Sequence, residues 1–292
     1  MTAAASRRDF AWIGAAYGCA LAAAAMTVLA LPQLDRFWQA AAADCVATVV
    51  IFAFSRAFAN SSFYDAYWSV APPLLVGFWL WTYGAGFDAR GSLALLLVCA
   101  WAVRLTHNWA RGWTGLGHED WRYGDLRQKT GRWFPVVDLL GIHLMPTVLV
   151  LLGCLPLALL AERAVAAAPV PLGSLDVLWL ALGSAALWLE TRADNVLRRF
   201  RRESRGGVLR EDVWAWCRHP NYLGELGFWF ALALAGYVAT GALLAWLGAA
   251  AMLVLFLGVS IPMIDRRQLA NKAAYADYVR EVPTLLPRPP RS

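Results

Sequence analysis

Residues 135–161 read PVVDLLGIHLMPTVLVLLGCLPLALLA, and this stretch decides the fold. Apart from Asp138 and His143, it carries no acidic or basic side chain. An α-helix needs roughly 20 apolar residues to cross a bilayer core of about 30 Å, and this run exceeds that length. Because lipid cannot hydrogen-bond the backbone, the run is predicted to be a membrane-spanning helix.

Runs of similar composition recur along the whole chain. We predict eight spanning helices, or seven if the last two runs form one bent helix. Of the 292 residues, 60% are hydrophobic and 16% are charged, whereas soluble domains carry about 25% charged residues. The predicted fold is therefore an all-α, polytopic membrane helix bundle. The predicted spans are residues 10–31, 40–59, 64–83, 91–109, 135–161, 173–193, 221–239 and 241–263.

Basic residues are distributed unevenly among the connections. They concentrate in 107–134, in 192–220 and in the tail that begins at Asp265. By the positive-inside rule, these segments and both termini are predicted to be cytoplasmic. We expect the functional residues there as well. The arginines on the opposite side are Arg36, Arg90 and Arg163.

The chain divides into two predicted regions by motif content. Residues 1–90 carry no recognisable motif, and residues 91–292 carry all of those described below. The five cysteines are scattered singly, so we expect neither a disulfide framework nor a metal site. A Rossmann GxGxxG, a Walker loop and a GxSxG elbow are absent from the sequence, and no nucleic-acid partner is expected.

The sharpest motif is RHPNYLGE, residues 218–225. Proline is tolerated at the first position of a helix, so Pro220 predicts that the seventh span begins there. Asn221 and Glu225 then lie one turn apart on the same face. An ionisable group within a span indicates a functional site. The alternative is that Glu225 forms a packing pair with a neighbouring arginine.

A second motif, DNVLRRFR, covers residues 194–201. Asp194, Arg198 and Arg201 fall on one helical face, with Asn195 beside them. Arginine forks suit phosphate groups, whereas Asp194 and Asn195 could recognise a hydroxyl or an amide. The alternative is that the arginines anchor the helix to anionic lipid headgroups.

Two further segments combine aromatic and charged residues. The loop after His107 contains EDWRY at 119–123, a composition expected of a loop that covers a cofactor or of an interfacial aromatic belt. The tail contains YADYVREVP at 275–283 and predicts a short amphipathic helix.

Together, EDWRY, DNVLRRFR, RHPNYLGE and YADYVREVP resemble the steroid 5-alpha-reductase-like membrane reductases, in particular their bacterial DUF1295-type branch. The resemblance covers roughly residues 90–290. It implies that NADPH binds at the cytoplasmic ends of the C-terminal helices. The cofactor would deliver hydride to an activated carbon–carbon double bond of a steroid, an isoprenoid or another lipid.

The resemblance also implies the site residues. Asn221 and Glu225 would contact the nicotinamide carboxamide, and Asp194, Arg198 and Arg201 would hold the adenosine and phosphates. The implied cofactor-binding set is Asp194, Asn195, Arg198, Arg201, Arg218, His219, Asn221, Tyr222, Glu225, Arg266, Arg267 and Tyr278. The predicted catalytic residues are Glu225, Tyr123 and His107.

This sequence departs from the family pattern at several positions. The usual histidine and second tyrosine of the tail are here Arg267 and Asn271, and Glu211-Asp212-Val213-Trp214 replaces the Gly-Leu-Phe/Trp that precedes the main motif. The family's substrate-carbonyl pair, a tyrosine and a carboxylate from early helices, has no clear counterpart by motif. His107, Tyr123 and Asp138 are the candidates for that role.

Two other functions are compatible with the motifs. RHPxYxG also occurs in S-adenosylmethionine-dependent isoprenylcysteine and phospholipid methyltransferases, and a non-enzymatic membrane protein could keep the same fold. The expected partners are the lipid bilayer and a small lipidic substrate. Abundant arginine and alanine indicate a GC-rich bacterial genome, hence a bacterial cytoplasmic membrane. The natural substrate, NADPH versus NADH, and the oligomeric state stay open.

Overall fold

A computed structural model describes residues 5–83, 88–166, 171–203 and 207–290. Throughout these ranges the regular structure is helical, without strands, which confirms the predicted all-α class. The chain separates into two compact units, Met1–Pro169 and Val170–Ser292. We call them the N-terminal unit and the C-terminal unit. This boundary reflects packing, whereas the predicted division at residue 90 reflects motif content and stays a prediction.

The N-terminal unit contains seven α-helices in its described part, and a π-helical segment, Asp138–Leu144, joins the last two. A 3-10 turn, Ser61–Tyr64, precedes the third helix. The helices are α1 Arg7–Ala30, α2 Arg36–Ala57, α3 Tyr67–Thr82, α4 Ala89–Gly112, α5 Trp121–Thr130, α6 Phe134–Val137 and α7 Met145–Ala166.

Local sequence fixes where these helices begin. The side chains of Ser6, Asp35 and Asp88 each accept a hydrogen bond from a backbone N–H in the first turn of α1, α2 and α4. Such caps satisfy amide groups that have no partner within the helix. Short polar residues at these positions therefore end the connections between apolar runs.

The C-terminal unit has its longest helix first. Its helices are α8 Ser174–Arg202, α9 Pro220–Thr240, α10 Leu247–Leu255, α11 Ile261–Asn271 and α12 Tyr275–Glu281. Pro220 occupies the first turn of α9, as predicted. Gly241 ends this helix in the left-handed conformation, with φ of 69°, which glycine adopts without steric cost. The last two apolar runs are therefore separate helices.

Gly224 allows α8 and α9 to approach closely. A Cβ atom at this position would lie 2.4 Å from Glu190 Cγ and 2.9 Å from the backbone oxygen of Ala186. Both distances are shorter than ordinary van der Waals contact. The glycine of RHPNYLGE therefore has a packing role, independent of any ligand.

Each of the eight predicted runs coincides with a helical stretch. Within the described residues, six stretches are long and apolar enough to cross a membrane. The helices of the other two predicted runs are α3, which has only 16 residues, and α8, which carries charged residues along its second half. The orientation of the termini stays a prediction. The six stretches are Arg7–Ala30, Arg36–Ala57, Ala89–Gly112, Trp121–Ala164, Pro220–Thr240 and Leu243–Asn271.

Candidate functional sites

The start of RHPNYLGE is joined to the C-terminal tail through backbone hydrogen bonds. The N–H of Arg218 donates to the oxygen of Pro283 at 2.9 Å, and the N–H of His219 donates to the oxygen of Thr284 at 3.2 Å. Two segments separated by more than 60 residues in sequence thus lie side by side at the beginning of α9.

The Arg218 side chain strengthens this junction. Its guanidinium donates to the oxygen of Val282 at 2.7 Å, to Thr284 Oγ1 at 2.9 Å and to Asp265 Oδ2 at 3.1 Å. The side chain is 8% exposed. Arg218 is thus committed to contacts within the protein, although the sequence predicts it to bind a cofactor.

Asp265 contacts two further side chains at the same junction. Its Oδ1 lies 3.0 Å from His219 Nε2 and accepts a hydrogen bond from Tyr275. Burial raises the pKa of Tyr275 above its usual range, and hydrogen bonding to the carboxylate adds to this effect. The sequence analysis did not single out Asp265 as a site residue, because its partners are distant in sequence.

Tyr278 is also directed into the protein. It is 1% exposed, and its hydroxyl donates to the backbone oxygen of Trp214 at 2.6 Å. Burial raises the pKa of Tyr278 above its usual range. Three of the four buried members of the predicted cofactor set, Arg218, His219 and Tyr278, therefore make contacts that hold this region together; the fourth is Glu225.

The rest of RHPNYLGE lies at the first turns of α9. Asn221 and Tyr222 are partly exposed, whereas Glu225 is buried and accepts a hydrogen bond from Trp229 Nε1 at 2.8 Å. The Tyr222 ring stacks on Phe256, with ring centroids 4.8 Å apart, and lies parallel to the His219 ring at 5.6 Å. An amide, an aromatic ring and a carboxyl group thus occur within two helical turns.

The predicted phosphate-binding residues lie on α8. Asp194 and Arg198 are partly exposed, and Asn195 and Arg201 are exposed. The two tail arginines, Arg266 and Arg267, are exposed as well. These side chains are accessible to a ligand, in contrast to the buried set.

The loop that departs from the family pattern is held against α8. Asp212 has a positive φ of 58° and pairs with Arg192, with oxygen and nitrogen 2.5 Å apart. Hydrogen bonding to the guanidinium lowers the pKa of Asp212. Trp214 Nε1 donates to the backbone oxygen of Ala193 at 3.1 Å. The segment Glu211–Trp214 is therefore held in place by hydrogen bonds to α8.

In the N-terminal unit, EDWRY docks on the turn before α3. Glu119 accepts hydrogen bonds from the N–H of Ser61 at 2.8 Å and from Arg127 at 2.9 Å. The Tyr123 hydroxyl donates to Asp65 Oδ1 at 2.6 Å. Burial raises the pKa of Asp65 to about 6. The EDWRY motif thus holds its loop against the turn before α3. His107, the other predicted catalytic residue of this unit, is exposed on α4.

A carboxyl–tyrosine pair lies between α2 and α3. Tyr67 donates to Asp44 Oδ1 at 2.8 Å, and the two residues are 7% and 5% exposed. The sequence gives Asp44 no partner, because residues on two successive helices have no fixed spacing. Motif analysis therefore missed Tyr67.

A second polar cluster surrounds His143. Its imidazole lies between Asp138 of the π-helical segment and Ser55 of α2, and all three side chains are buried. Asp138 and His143 thus both lie in the interior of the unit. Within the described residues, no group of three His, Cys, Asp or Glu residues is arranged to hold a metal ion.

The fold and these buried polar groups define an all-α polytopic membrane protein. The family model described as "Protein of unknown function (DUF1295)" matches residues 51–282, so the chain belongs to this family. It is 30% identical over 216 residues to the uncharacterized protein C594.04c of Schizosaccharomyces pombe, covering 64% of this chain and 60% of that protein. The chain thus spans less than two thirds of that relative's length. No solved structure matches.

Proposed function

We propose that this protein is an integral-membrane, NADPH-dependent reductase of a carbon–carbon double bond conjugated to a carbonyl group in a lipidic substrate. The observation that carries the proposal is the start of α9. There, the buried Glu225 carboxyl group lies one turn from the partly exposed Asn221 amide. The resemblance to steroid 5-alpha-reductase-like enzymes supports the same chemistry.

The residues at α9 fit a nicotinamide chemically. A carboxamide offers an N–H donor and a carbonyl acceptor, which Glu225 and Asn221 complement. When bound, NADPH would supply the hydride. Exposed or partly exposed cations suited to its phosphates occur in the same unit. They are Arg198, Arg201, Arg266 and Arg267.

Three other buried residues of the predicted cofactor set have a different role in this proposal. Arg218, His219 and Tyr278 would act by fixing the junction between the tail and α9, because their side chains contact protein groups. Asn221 and Tyr222 would then contact the cofactor directly. Positioning and exclusion of water are what a protein contributes to cofactor chemistry.

For the substrate, the proposal assigns carbonyl polarisation to Tyr67. Hydride addition to an enone creates negative charge on the carbonyl oxygen, and a preorganised hydroxyl donor stabilises it. Tyr67 is oriented by Asp44 in a buried setting, and its hydroxyl can donate to an oxyanion when the Asp44 carboxyl group itself carries a proton and donates to the tyrosine oxygen. Tyr123 is likewise paired with Asp65, in the EDWRY loop, and His107 is exposed.

The first test is cofactor binding by the detergent-purified protein. Energy transfer from its 16 tryptophans to NADPH reports binding, with NADH and S-adenosylmethionine as competitors. We expect saturable NADPH binding that Glu225→Gln weakens and the matched exposed variant Glu162→Gln does not. Binding of S-adenosylmethionine alone would favour a methyltransferase, and binding of neither would favour a non-enzymatic role.

Activity is then measured as NADPH oxidation with a panel of lipid enones in bilayer nanodiscs. Saturated product, identified by mass spectrometry, is the expected result. Absence of turnover with every enone would overturn the reductase proposal. The predicted bacterial cytoplasmic membrane is tested separately by fractionating native cells.

A further inference from the structure

An exposed apolar stripe runs along the helical stretch that begins at Trp133. Its members recur once per helical turn, and each is at least 38% exposed. At 1.5 Å per residue the stripe is about 22 Å long, which is most of a bilayer core of about 30 Å. In a membrane-spanning protein, such a face contacts lipid hydrocarbon. The stripe consists of Trp133, Val136, Leu140, Met145 and Val148.

The stripe ends where exposed charge begins. Lys129 and Arg132, which precede it in the chain, are both exposed. Trp133 is 60% exposed, and the Arg132 guanidinium carbon lies 5.6 Å from the centroid of its ring. Tryptophan is enriched at the level of the lipid headgroups, where its ring meets hydrocarbon and its N–H meets polar groups. The change from apolar to basic surface therefore marks the headgroup level at residues 129–133.

Cations from two helices meet at the next aromatic ring. The guanidinium carbons of Arg127 and Arg56 lie 4.6 and 5.9 Å from the centroid of the Phe134 ring. Arg127 belongs to the last turn of α5, and Arg56 belongs to the last turn of α2. The dipole of a helix favours cations at its C-terminal end. We call the surface formed by Arg56, Arg127, Lys129, Arg132 and Trp133 the basic corner.

Carboxylates of the protein compensate only part of this charge. Arg127 pairs with Glu119 at 2.9 Å, and Arg56 lies 3.8 Å from the buried Asp138. In the described part of the chain, Lys129 and Arg132 form no ion pair. Asp125, the only acidic residue of α5, lies one helical turn before Lys129. The exposed charge of the basic corner is therefore mainly positive.

A ligand that fits both the stripe and the basic corner must be amphipathic and anionic. Arginine and lysine donate hydrogen bonds to phosphate oxygens, and acyl chains fit beside exposed apolar side chains. A zwitterionic headgroup would bring its ammonium group close to these cations, which repel it. The segment 107–134 is predicted to be cytoplasmic, and anionic lipids give the cytoplasmic leaflet its negative surface potential.

We propose that the basic corner is a binding site for an anionic phospholipid of the bilayer. Lys129 and Arg132 contact the phosphate group, and Trp133 lies at the level of the glycerol backbone. The acyl chains follow Val136 and Leu140. This site uses no residue to which the proposed function assigns a role, so lipid binding and reductase activity are tested separately.

The test is a lipid titration of the detergent-purified, full-length protein, followed by native mass spectrometry. Dioleoyl-phosphatidylglycerol is the anionic probe, and dioleoyl-phosphatidylcholine is the zwitterionic probe with the same acyl chains. We expect tighter binding of phosphatidylglycerol. This preference should fall between about 0.05 and 0.5 M ammonium acetate, because salt screens exposed charges. Equal affinities for the two lipids would indicate apolar contact alone and would overturn the proposal.

Replacing Lys129 and Arg132 together by Gln removes the two unpaired cations. One surface cation contributes about 5-fold to affinity for an anionic membrane, so phosphatidylglycerol affinity should fall about 25-fold. Affinity for phosphatidylcholine should stay the same. The matched control replaces Arg7 and Arg8, an exposed pair on α1, by Gln and should leave both affinities nearly unchanged. An equal fall in the control would show diffuse attraction to the overall charge and would overturn the site.

An exchange variant, Lys129→Arg with Arg132→Lys, keeps both charges and should keep the wild-type preference. Loss of the preference in this variant would overturn the role of headgroup charge. If the Gln variant does not fold, the wild-type protein decides, because a preference independent of salt contradicts the proposal. A dimer that Trp133→Ala disrupts, in the absence of lipid adducts, would assign this surface to a second copy of the chain instead.

Discussion

The two units hold their buried polar groups in different ways. In the C-terminal unit, Arg218 donates to backbone carbonyl groups of the tail as well as to Asp265 and Thr284, and its own motif is continuous in sequence. In the N-terminal unit, Asp44 and His143 pair with side chains from other helices. A continuous motif can thus consist partly of structural residues, whereas a candidate catalytic pair can lack any motif.

The largest expected effect comes from breaking the junction in the C-terminal unit. Arg218→Ala removes one donor from Asp265, one from Thr284 and one from the backbone oxygen of Val282. Loss of one partner of a buried ion pair costs about 3–5 kcal/mol. We expect a clear fall in melting temperature and cleavage of the tail by limited proteolysis. Arg201→Ala, at an exposed arginine, should leave both unchanged, and equal stability of the two variants would contradict the structural role of Arg218.

Tyr67→Phe tests the corresponding pair in the N-terminal unit. Removal of one hydrogen-bond donor to a developing oxyanion typically lowers kcat about 100-fold. We expect this loss in enone reduction with NADPH binding nearly unchanged, together with a lower melting temperature, because the buried Asp44 carboxyl group loses its hydrogen-bond donor. Tyr123→Phe serves as the comparison, and a larger loss of kcat in that variant would move the catalytic role to the EDWRY loop.

Gly224→Ala separates packing from ligand binding within RHPNYLGE. The added methyl group would overlap Glu190 and the backbone at Ala186, and overpacking of this kind costs about 1–3 kcal/mol. The melting temperature should fall accordingly. Gly258→Ala, where a Cβ meets no atom within 4 Å, is the matched control. A stable Gly224→Ala variant that fails only to bind NADPH would assign the glycine to the ligand instead.

The smallest expected effect is a pH dependence at Asp65. Its pKa in the folded protein is raised from 3.8 to about 6, so the folded state binds the proton more tightly than the unfolded state. This contribution is fully present below about pH 4 and is lost as the pH rises through about 6. Asp65→Asn should therefore raise the melting temperature relative to wild type more at pH 7.5 than at pH 4.5.

The control for this measurement is Asp125→Asn, at an exposed carboxylate. Its difference from wild type should be the same at both pH values. A difference for Asp65→Asn that is also independent of pH would show that the Tyr123 hydrogen bond, rather than burial, dominates the environment of this carboxyl group.

Sequence patterns predicted local features of the fold well. Pro220 marks the start of α9, and the apolar runs coincide with helices, because both depend on neighbouring residues alone. Within the described residues, six stretches have the length and hydropathy of a membrane span, and eight runs were predicted. Helix α8 is not among the six, because apart from Asp176 its charged residues lie in its second half.

Candidate site residues were predicted less completely. Asn221 and Glu225 lie together at α9 as their spacing required. The sequence did not show that Arg218 binds the C-terminal tail, since its partners there are more than 60 residues away. Asp138 and His143 stand out in the sequence as the ionisable residues of their apolar run, but the contacts that join them to each other and to Ser55 of α2 are visible only in the structure.

By itself, the sequence determined that this chain forms apolar helices with polar connections. In lipid the backbone N–H and C=O groups of an apolar run must be hydrogen-bonded within the protein, and a helix satisfies them within the run itself. The sequence also determined which residues of α9 share a face. Only the tertiary structure decided that Arg218 faces the tail, that Tyr67 meets Asp44, and that Ser55 meets His143. These contacts join residues whose separation in sequence carries no periodic signal, so their geometry arises from the packing of whole helices.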